Sequence, residues 1–281
     1  MEPEPFPMSA AETAVWQDLV GRRCGLTFSE SRMRLLRQGV HARMQCRGLA
    51  SATEYYHHLV FHPDGSREWP ELLDLLLNKE TSFFRHQASF DVLTGQVLPR
   101  LAAAGGAEPL QMWSAGCSTG QEAYSLALAA RLTPELHEQP VRVVGSDLSA
   151  KALQRARQGR YRPFEARQLP DALRALYFAT VEDDGRPALQ AVPELRAAVE
   201  FQPCNLLDPA TYPAGGQAVI FCQNVLIYFP PAVRAVIVRQ LAETLRPDGC
   251  LFLAPGEAVG IPLPGLESLR LRDVSVFQRS A

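Results

Sequence analysis

Two acids, Glu122 and Asp147, stand where this chain is most open to a chemical reading. Glu122 lies in WSAGCSTGQEAYSL (Trp113–Leu126). There an apolar run (Leu110, Met112, Trp113) meets small residues (Ser114, Ala115, Gly116), then Gly120, then the acid, then a helix-like run from Ala123 to Leu132. This is the pattern of a strand that ends in a tight turn and opens a helix. Small residues at such a turn let a ligand approach the backbone closely. A carboxylate at the start of the helix suits a cationic or hydroxyl-bearing ligand. It opposes a pyrophosphate, which needs bare N–H groups. Further on, VRVVGSD (Val141–Asp147) is a second apolar strand ending in an acid. Two strand-end acids beside a small-residue turn suggest an adenosyl cofactor with a positive centre, for which S-adenosylmethionine is the natural candidate. Each acid also has a plainer reading. Glu122 would favour a helix N-terminus through the dipole alone, and Asp147 could cap the next helix, although Ser149 already offers that.

These acids need a scaffold, and the surrounding pattern supplies one. Predicted strands at Leu110–Ala115, Val141–Asp147, Ala198–Pro203, Ala218–Gln223 and Cys250–Ala254 alternate with predicted helices at Gln121–Leu132, Ala150–Gln158 and Ala232–Arg246. Leu269–Arg272 and Val274–Gln278 read as a late antiparallel hairpin. The alternation predicts an α/β fold with a mostly parallel, Rossmann-like sheet covered by helices on both faces. Ligands of such sheets bind at the carboxyl ends of the strands. Ahead of it, residues from Ala11 to about Arg85 show only helical patterns: Ala11–Val20, Glu30–Cys46, a helix capped by Ser51, and Trp69–Leu77. A further helix from about Gln87 to Ala104 leads to the first strand. Between Gly159 and Val199 the rhythm breaks. Phe178–Val181, Ala188–Val192 and Ala198–Phe201 look like short strands of an inserted antiparallel excursion.

Bulk properties bound the rest. The 281 residues allow two domains, and 47% hydrophobic with 21% charged residues is ordinary globular composition. Net charge is −2, yet seven arginines (22, 23, 32, 34, 37, 43, 47) share residues 22–47 with a single acid, Glu30. That is a local basic face on a near-neutral protein. The six cysteines are scattered without a CxxC pair, as in a reducing cytosol, and make no zinc spacing with the six histidines. No stretch is apolar for the ~20 residues a membrane helix needs. The acidic, Pro-rich MEPEPFPMSA is unlike a signal peptide, and a cytoplasmic location is expected.

Several strings, in order, resemble the chemotaxis receptor glutamate methyltransferases, the CheR family: GLTFSESRMRLLRQGVHARMQCRGL, NKETSFFRH, WSAGCSTGQEAYSLAL, GSDLSAKALQRARQGRY, CNLLDP, IFCQNVLIYF and LRPDGCLFLAPGE. They span about Gly25 to Gln278. The resemblance implies a helical N-terminal domain over 1–90. It implies a methyltransferase domain over 91–281, with a β-subdomain inserted at about 175–202. It also implies an activity: methyl transfer from S-adenosylmethionine to glutamate side chains of chemoreceptors, giving methyl esters and S-adenosylhomocysteine in chemosensory signal transduction. Partners would be receptor cytoplasmic domains, with no nucleic acid, no membrane insertion and no metal. Glu122 would then hold the cofactor's methionine end and Asp147 its ribose. Asn205 and Leu206 would flank the adenine, and Gln223 and Asn224 would close over the cofactor. Gly116 and Thr81 would also border it. Arg85 would hold the incoming carboxylate or border the sulfur, Tyr228 would be an active-site tyrosine, and Arg34, Arg37 and Arg43 would steer acidic receptor helices. Phe83 and Phe84 read as core.

The chain also departs from the family pattern. Lys79 stands where an asparagine is usual, Gln223 replaces an arginine, and Pro255-Gly256-Glu257 replaces His-Ser-Glu. EDDGRP occupies the place of a Gly-rich loop that in some members binds a receptor's C-terminal peptide. These departures leave room for a non-catalytic scaffold. The arginine helix leaves room for another methyl acceptor such as RNA or a small acid, although it has no interleaved aromatics for base stacking. A nicotinamide enzyme fits worst, because SAGCSTGQE is not G-x-G-x-x-G.

Overall fold

The computed structural model describes residues 8–105, 108–271 and 274–280. The expected frayed tail up to Pro7 lies outside the described residues, as do Gly106 and the end of the predicted strand at Arg272. The chain divides into two compact units, residues 1–78 with 228–230, and residues 79–227 with 231–281. The division falls at Asn78–Lys79 rather than near residue 90, because Phe83, Phe84 and Phe90 bury in the core of the second unit.

The first unit is helical: α1 (Ala10–Cys24), α2 (Glu30–Arg47), α3 (Ala52–Phe61) and α4 (Gly65–Leu76). Ser9 and Glu12 form a reciprocal capping box at the start of α1, and the Ser51 hydroxyl accepts from Glu54 N–H at the start of α3. Trp16 stacks on Tyr55 at 5.3 Å, with Leu36, Val40, Leu59, Leu72 and Leu76 buried around them. α4 begins a turn before the predicted Trp69. Gly65 there packs so tightly on the Leu59 carbonyl that no Cβ would fit. A buried acid, Glu68, completes the unit. It accepts from Arg43 Nε (2.7 Å) and Nη2 (2.9 Å), Arg47 Nε (2.7 Å) and Tyr55 Oη (2.9 Å). Burial raises its pKa, but these hydrogen bonds together outweigh burial and hold it at about 2.

The second unit opens with α5 (Gln87–Val92), a π-turn over Leu93–Val97, and α6 (Leu98–Ala103). One continuous helix was predicted here. Pro99 has no N–H to continue the ladder, and the Thr94 hydroxyl donates back to the Phe90 carbonyl, so the helix widens by one residue at this point. Then follow β1 (Leu110–Ala115), α7 (Gln121–Arg131), β2 (Val141–Asp147), α8 (Ala150–Gln158), β3 (Arg160–Tyr161), α9 (Asp171–Tyr177), β4 (Phe178–Asp183) and β5 (Arg186–Ala191). The chain continues through α10 (Pro193–Ala197), β6 (Val199–Pro203), β7 (Gln217–Cys222), α11 (Pro231–Thr244), β8 (Leu245–Leu253), β9 (Leu266–Leu271) and β10 (Val274–Arg279).

Seven strands form one sheet in the order β6-β2-β1-β7-β8-β10-β9. The first five pair in parallel, and β10 runs antiparallel to both β8 and β9. Chain order runs outward in both directions from the β1–β7 junction, which is therefore the switch point. β7 is buried at every position, as expected of a central parallel strand covered on both faces. The small sheet is β3-β5-β4 and spans residues 160–191, not 175–202. Ala198–Phe201 does not join it, because Val199–Pro203 pairs with β2. Its third strand is Arg160–Tyr161, too short to show a period. β8 starts earlier than predicted, with Asp248 in the left-handed region (φ 63°) where the register against β7 shifts.

Candidate active site

The carboxyl ends of β1, β2, β6 and β7 bring the sequence-predicted residues to one edge of the sheet. After β1 the chain turns at Gly116, whose φ of 88° excludes ordinary side chains. A Cβ there would also overlap Val225 from the loop after β7. The N–H groups of Gly116 and Cys117 both donate to the Ser146 carbonyl at 2.8 Å. Asp147 ties this turn to the next one. Its Oδ2 accepts from Ser118 N–H and its Oδ1 from Ser149 N–H, each at 2.8 Å. The helix cap itself is Ser149, whose hydroxyl accepts from Ala152 N–H at 3.0 Å. Leu148 N–H also donates to this carboxylate, and with three backbone bonds on its roughly four acceptor positions it can still take a ligand hydroxyl. Burial pushes the Asp147 carboxyl upward, against these backbone bonds and the charge of Lys79.

Glu122 is the second residue of α7. The Ser114 hydroxyl donates to its Oε1 at 2.7 Å. Desolvation pushes its carboxyl up to about 7. The Ser114 bond and the Arg85 charge lower it less than that, and Glu257 repels it. After β6, the Asn205 Oδ1 accepts from Leu207 N–H at 3.1 Å, so any reading of an adenine edge rests on its Nδ2. Leu206 is buried beside it.

The chain before α5 reaches the same edge. The Ser118 hydroxyl donates to the Lys79 carbonyl at 3.0 Å. Thr81 is half-buried, and Arg85 is exposed with Nη1 donating to the Glu80 carbonyl at 3.0 Å. Phe83 and Phe84 are core, with Phe83 edge-on to Tyr161 at 5.0 Å.

Two residues depart from expectation, Gln223 and Arg43. Gln223 turns its side chain inward, where Nε2 donates to Ser89 Oγ (3.0 Å) and the Leu253 carbonyl (3.3 Å); it makes a packing contact rather than a closure over the cofactor. Arg43 is committed to Glu68 and is not available to steer a partner. Arg34 is exposed and Arg37 half-buried, with its Nε buried and unpartnered. Tyr228 groups with the helical unit. Its hydroxyl accepts from Asn78 Nδ2 at 3.1 Å, its ring lies under the Arg32 guanidinium at 4.5 Å, and its carbonyl accepts from Thr27 N–H at 2.9 Å. Two residues were missed as contributors. Glu257 is 3% exposed and accepts from the N–H groups of Asn224 (3.0 Å), Ala254 (3.0 Å) and Ile227 (3.3 Å). His86 Nε2 lies 2.7 Å from Asn224 Oδ1. The Pro-Gly-Glu string was the signal for the first; the sequence held none for the second.

The residues present fit S-adenosylmethionine. Glu122 is a half-buried carboxylate whose pKa desolvation raises to about 7 against the Ser114 bond and the Arg85 charge, an environment that an ammonium would complete. Asp147 offers an acceptor one strand away, and the glycine turn between them admits no side chain. The mostly parallel sheet places these residues at its switch point, where ligands of such sheets bind, and the S-adenosylmethionine-dependent methyltransferase class follows from the family match. Residues 79–266 match the family described as CheR methyltransferase, SAM binding domain, and residues 11–77 match the CheR methyltransferase all-alpha domain. The chain belongs to the CheR methyltransferase family. It is 32% identical over 259 residues to chemotaxis protein methyltransferase 1 of Pseudomonas aeruginosa, covering 90% of this chain and 92% of that protein. It is 34% identical over 250 residues to the chemotaxis protein methyltransferase Cher2 of Pseudomonas putida, covering 86% and 88%. A probable biofilm formation methyltransferase, WspC of Pseudomonas aeruginosa, is 32% identical over 269 residues, covering 95% of this chain and 61% of that one.

Proposed function

We propose that this enzyme methylates glutamate side chains on the cytoplasmic domains of chemoreceptors, acting in the cytoplasm during chemosensory adaptation. S-adenosylmethionine supplies a methyl on a positively charged sulfur; as the carboxylate O–C bond forms, the C–S bond breaks and its electron pair stays on sulfur, giving S-adenosylhomocysteine. A glutamate carboxylate is already ionised near pH 7, so no residue has to act as base. The protein's work is orientation and exclusion of water, which can contribute roughly 7–11 kcal/mol for well-aligned reactants.

In this reading Glu122 holds the cofactor's ammonium, Asp147 the ribose hydroxyls, and Asn205 with Leu206 the adenine. Asn224 contributes from the loop after β7, and Gly116 and Thr81 border the cofactor. Arg85 receives the incoming carboxylate, to which its guanidinium fork is matched. Tyr228 is the active-site tyrosine, and Arg34 and Arg37 meet acidic receptor helices. The observation that carries the reading is Glu122, a half-buried carboxylate at the start of α7 beside the Gly116 turn, with Asp147 at the end of the neighbouring strand. No helix among the described residues is long and apolar enough to cross a membrane.

Calorimetry with S-adenosylmethionine and S-adenosylhomocysteine tests the site. Wild type should bind both, and Asp147→Ala should lose binding. Transfer of labelled methyl from the cofactor to receptor cytoplasmic domains, released by mild alkali as expected of an ester, tests the substrate. Binding without transfer to any receptor would leave a scaffold instead of an enzyme acting on receptors.

A further inference from the structure

We propose that His86 is a positioning residue for cofactor binding, and that it acts with Glu257 to fix the side-chain amide of Asn224. The inference rests on the cofactor reading above. Asn224 has φ of 60°, a left-handed conformation that asparagine adopts more readily than most residues with a side chain, and its backbone gains support from outside. Glu257 gives that support. A single buried carboxylate accepts from Asn224, Ala254 and Ile227 N–H, and so joins the loop after β7 to the loop after β8. Such a carboxylate fixes the point from which the Asn224 side chain emerges.

The amide still has two orientations about its last torsion, and a proton on His86 Nε2 selects one. An amide oxygen only accepts, so the 2.7 Å contact requires a proton on His86 Nε2. Both the neutral Nε2–H tautomer and the imidazolium meet that requirement. The contact leaves Nδ2, a pure donor, as the amide's group for an oxygen acceptor on the cofactor. A second bond reinforces the latch: Gln223 Nε2 donates to Ser89 Oγ at 3.0 Å. Two neighbouring residues after β7 are thereby fastened to two residues at the start of α5. His86 directly follows Arg85, so the same latch anchors the segment that presents the guanidinium. Gln223 then serves the cofactor indirectly.

The test compares wild type, His86→Ala, His86→Gln and Asp147→Ala by calorimetric affinity for S-adenosylhomocysteine, melting temperature and steady-state kinetics. His86→Ala should weaken S-adenosylhomocysteine about tenfold, the effect of losing one well-placed hydrogen bond. Gln carries a donor on its side-chain nitrogen, and His86→Gln should recover most of the loss. Nitrogen-15 spectra of the neutral His86 ring should show the proton on Nε2. A proton on Nδ1, or His86→Ala with wild-type affinity, or a lowered melting temperature without loss of affinity, overturns the proposal while Asp147→Ala still abolishes binding. Wild-type affinity in Asp147→Ala overturns the cofactor reading itself, and the proposal with it.

Discussion

In the proposed cofactor site, Glu122 should make binding sensitive to pH. An ordinary glutamate loses its proton near 4.5, whereas the folded Glu122 loses it at about 7. Between those values the unfolded chain holds fewer protons than the folded one, so this residue makes stability fall as pH rises from 4.5 to 7. A cationic ligand reverses the preference, because it binds the ionised form. Below pH 7 binding must therefore expel a proton. Affinity for S-adenosylmethionine should rise about tenfold per pH unit up to 7 and level off above it. Glu122→Gln should bind weakly with a flat profile. Calorimetry at pH 6 in two buffers of different ionisation enthalpy should show proton release in wild type only; equal heats in both buffers would remove Glu122 from the ammonium site. Glu122 and Asp147 were legible in the sequence because Asp147 ends β2 and Glu122 opens the helix after β1, each in a local pattern. Glu257 and His86 were not, because their bonds to Asn224 cross 33 and 138 residues of sequence. Arg43 looked like surface charge for the same reason: Glu68 lies 25 residues away.

At the level of elements, the buried Glu68 cluster ties α2, α3 and α4 through Arg43, Arg47 and Tyr55. Its pH dependence has the opposite sign to that of Glu122. With the folded pKa held at about 2, the cluster's contribution is complete above 4.5 and is lost as pH falls from 4.5 toward 2. Glu68→Gln strands two guanidinium groups and should destabilise the helical unit by about 3 kcal/mol, read from the denaturation midpoint near pH 7. An unchanged midpoint would mean that the cluster fixes geometry without net stability. The strands around the switch point were legible almost to the residue, since central parallel strands are short continuous apolar runs bounded by turn signals. What escaped was set by pairing. Arg160–Tyr161 is a strand only through its bonds to β5, and Leu245 joins β8 because β7 lies beside it. The π-turn before α6 depended on Pro99 being a missing donor inside a pattern that otherwise read as one helix.

For the whole molecule, a net charge of −2 gives little general attraction to an acidic partner, so in the proposed function encounter rests on the arginines of α2. Reversing Arg34 and Arg37 together should raise the receptor KM at least about tenfold and leave the KM for S-adenosylmethionine unchanged. The wild-type receptor KM should also climb with salt, as screening shortens the reach of surface charge. An unmoved receptor KM in the double variant would place docking elsewhere. Arg43 does not belong in that experiment, since its reversal would face Glu68. The grouping of Tyr228–Pro230 with the helices has a further consequence. The backbone crosses between the two units at Asn78–Lys79, Ile227–Tyr228 and Pro230–Pro231, so a nick at Asn78–Lys79 would leave the four helices held to Tyr228–Pro230 by non-covalent contacts alone. The transferase half is not a portable cassette: expressed from Lys79 onward, it would carry Tyr228 and the buried Phe229 without the helices that now enclose them, and poor solubility of such a fragment would reflect that uncovered loop rather than a faulty α/β core.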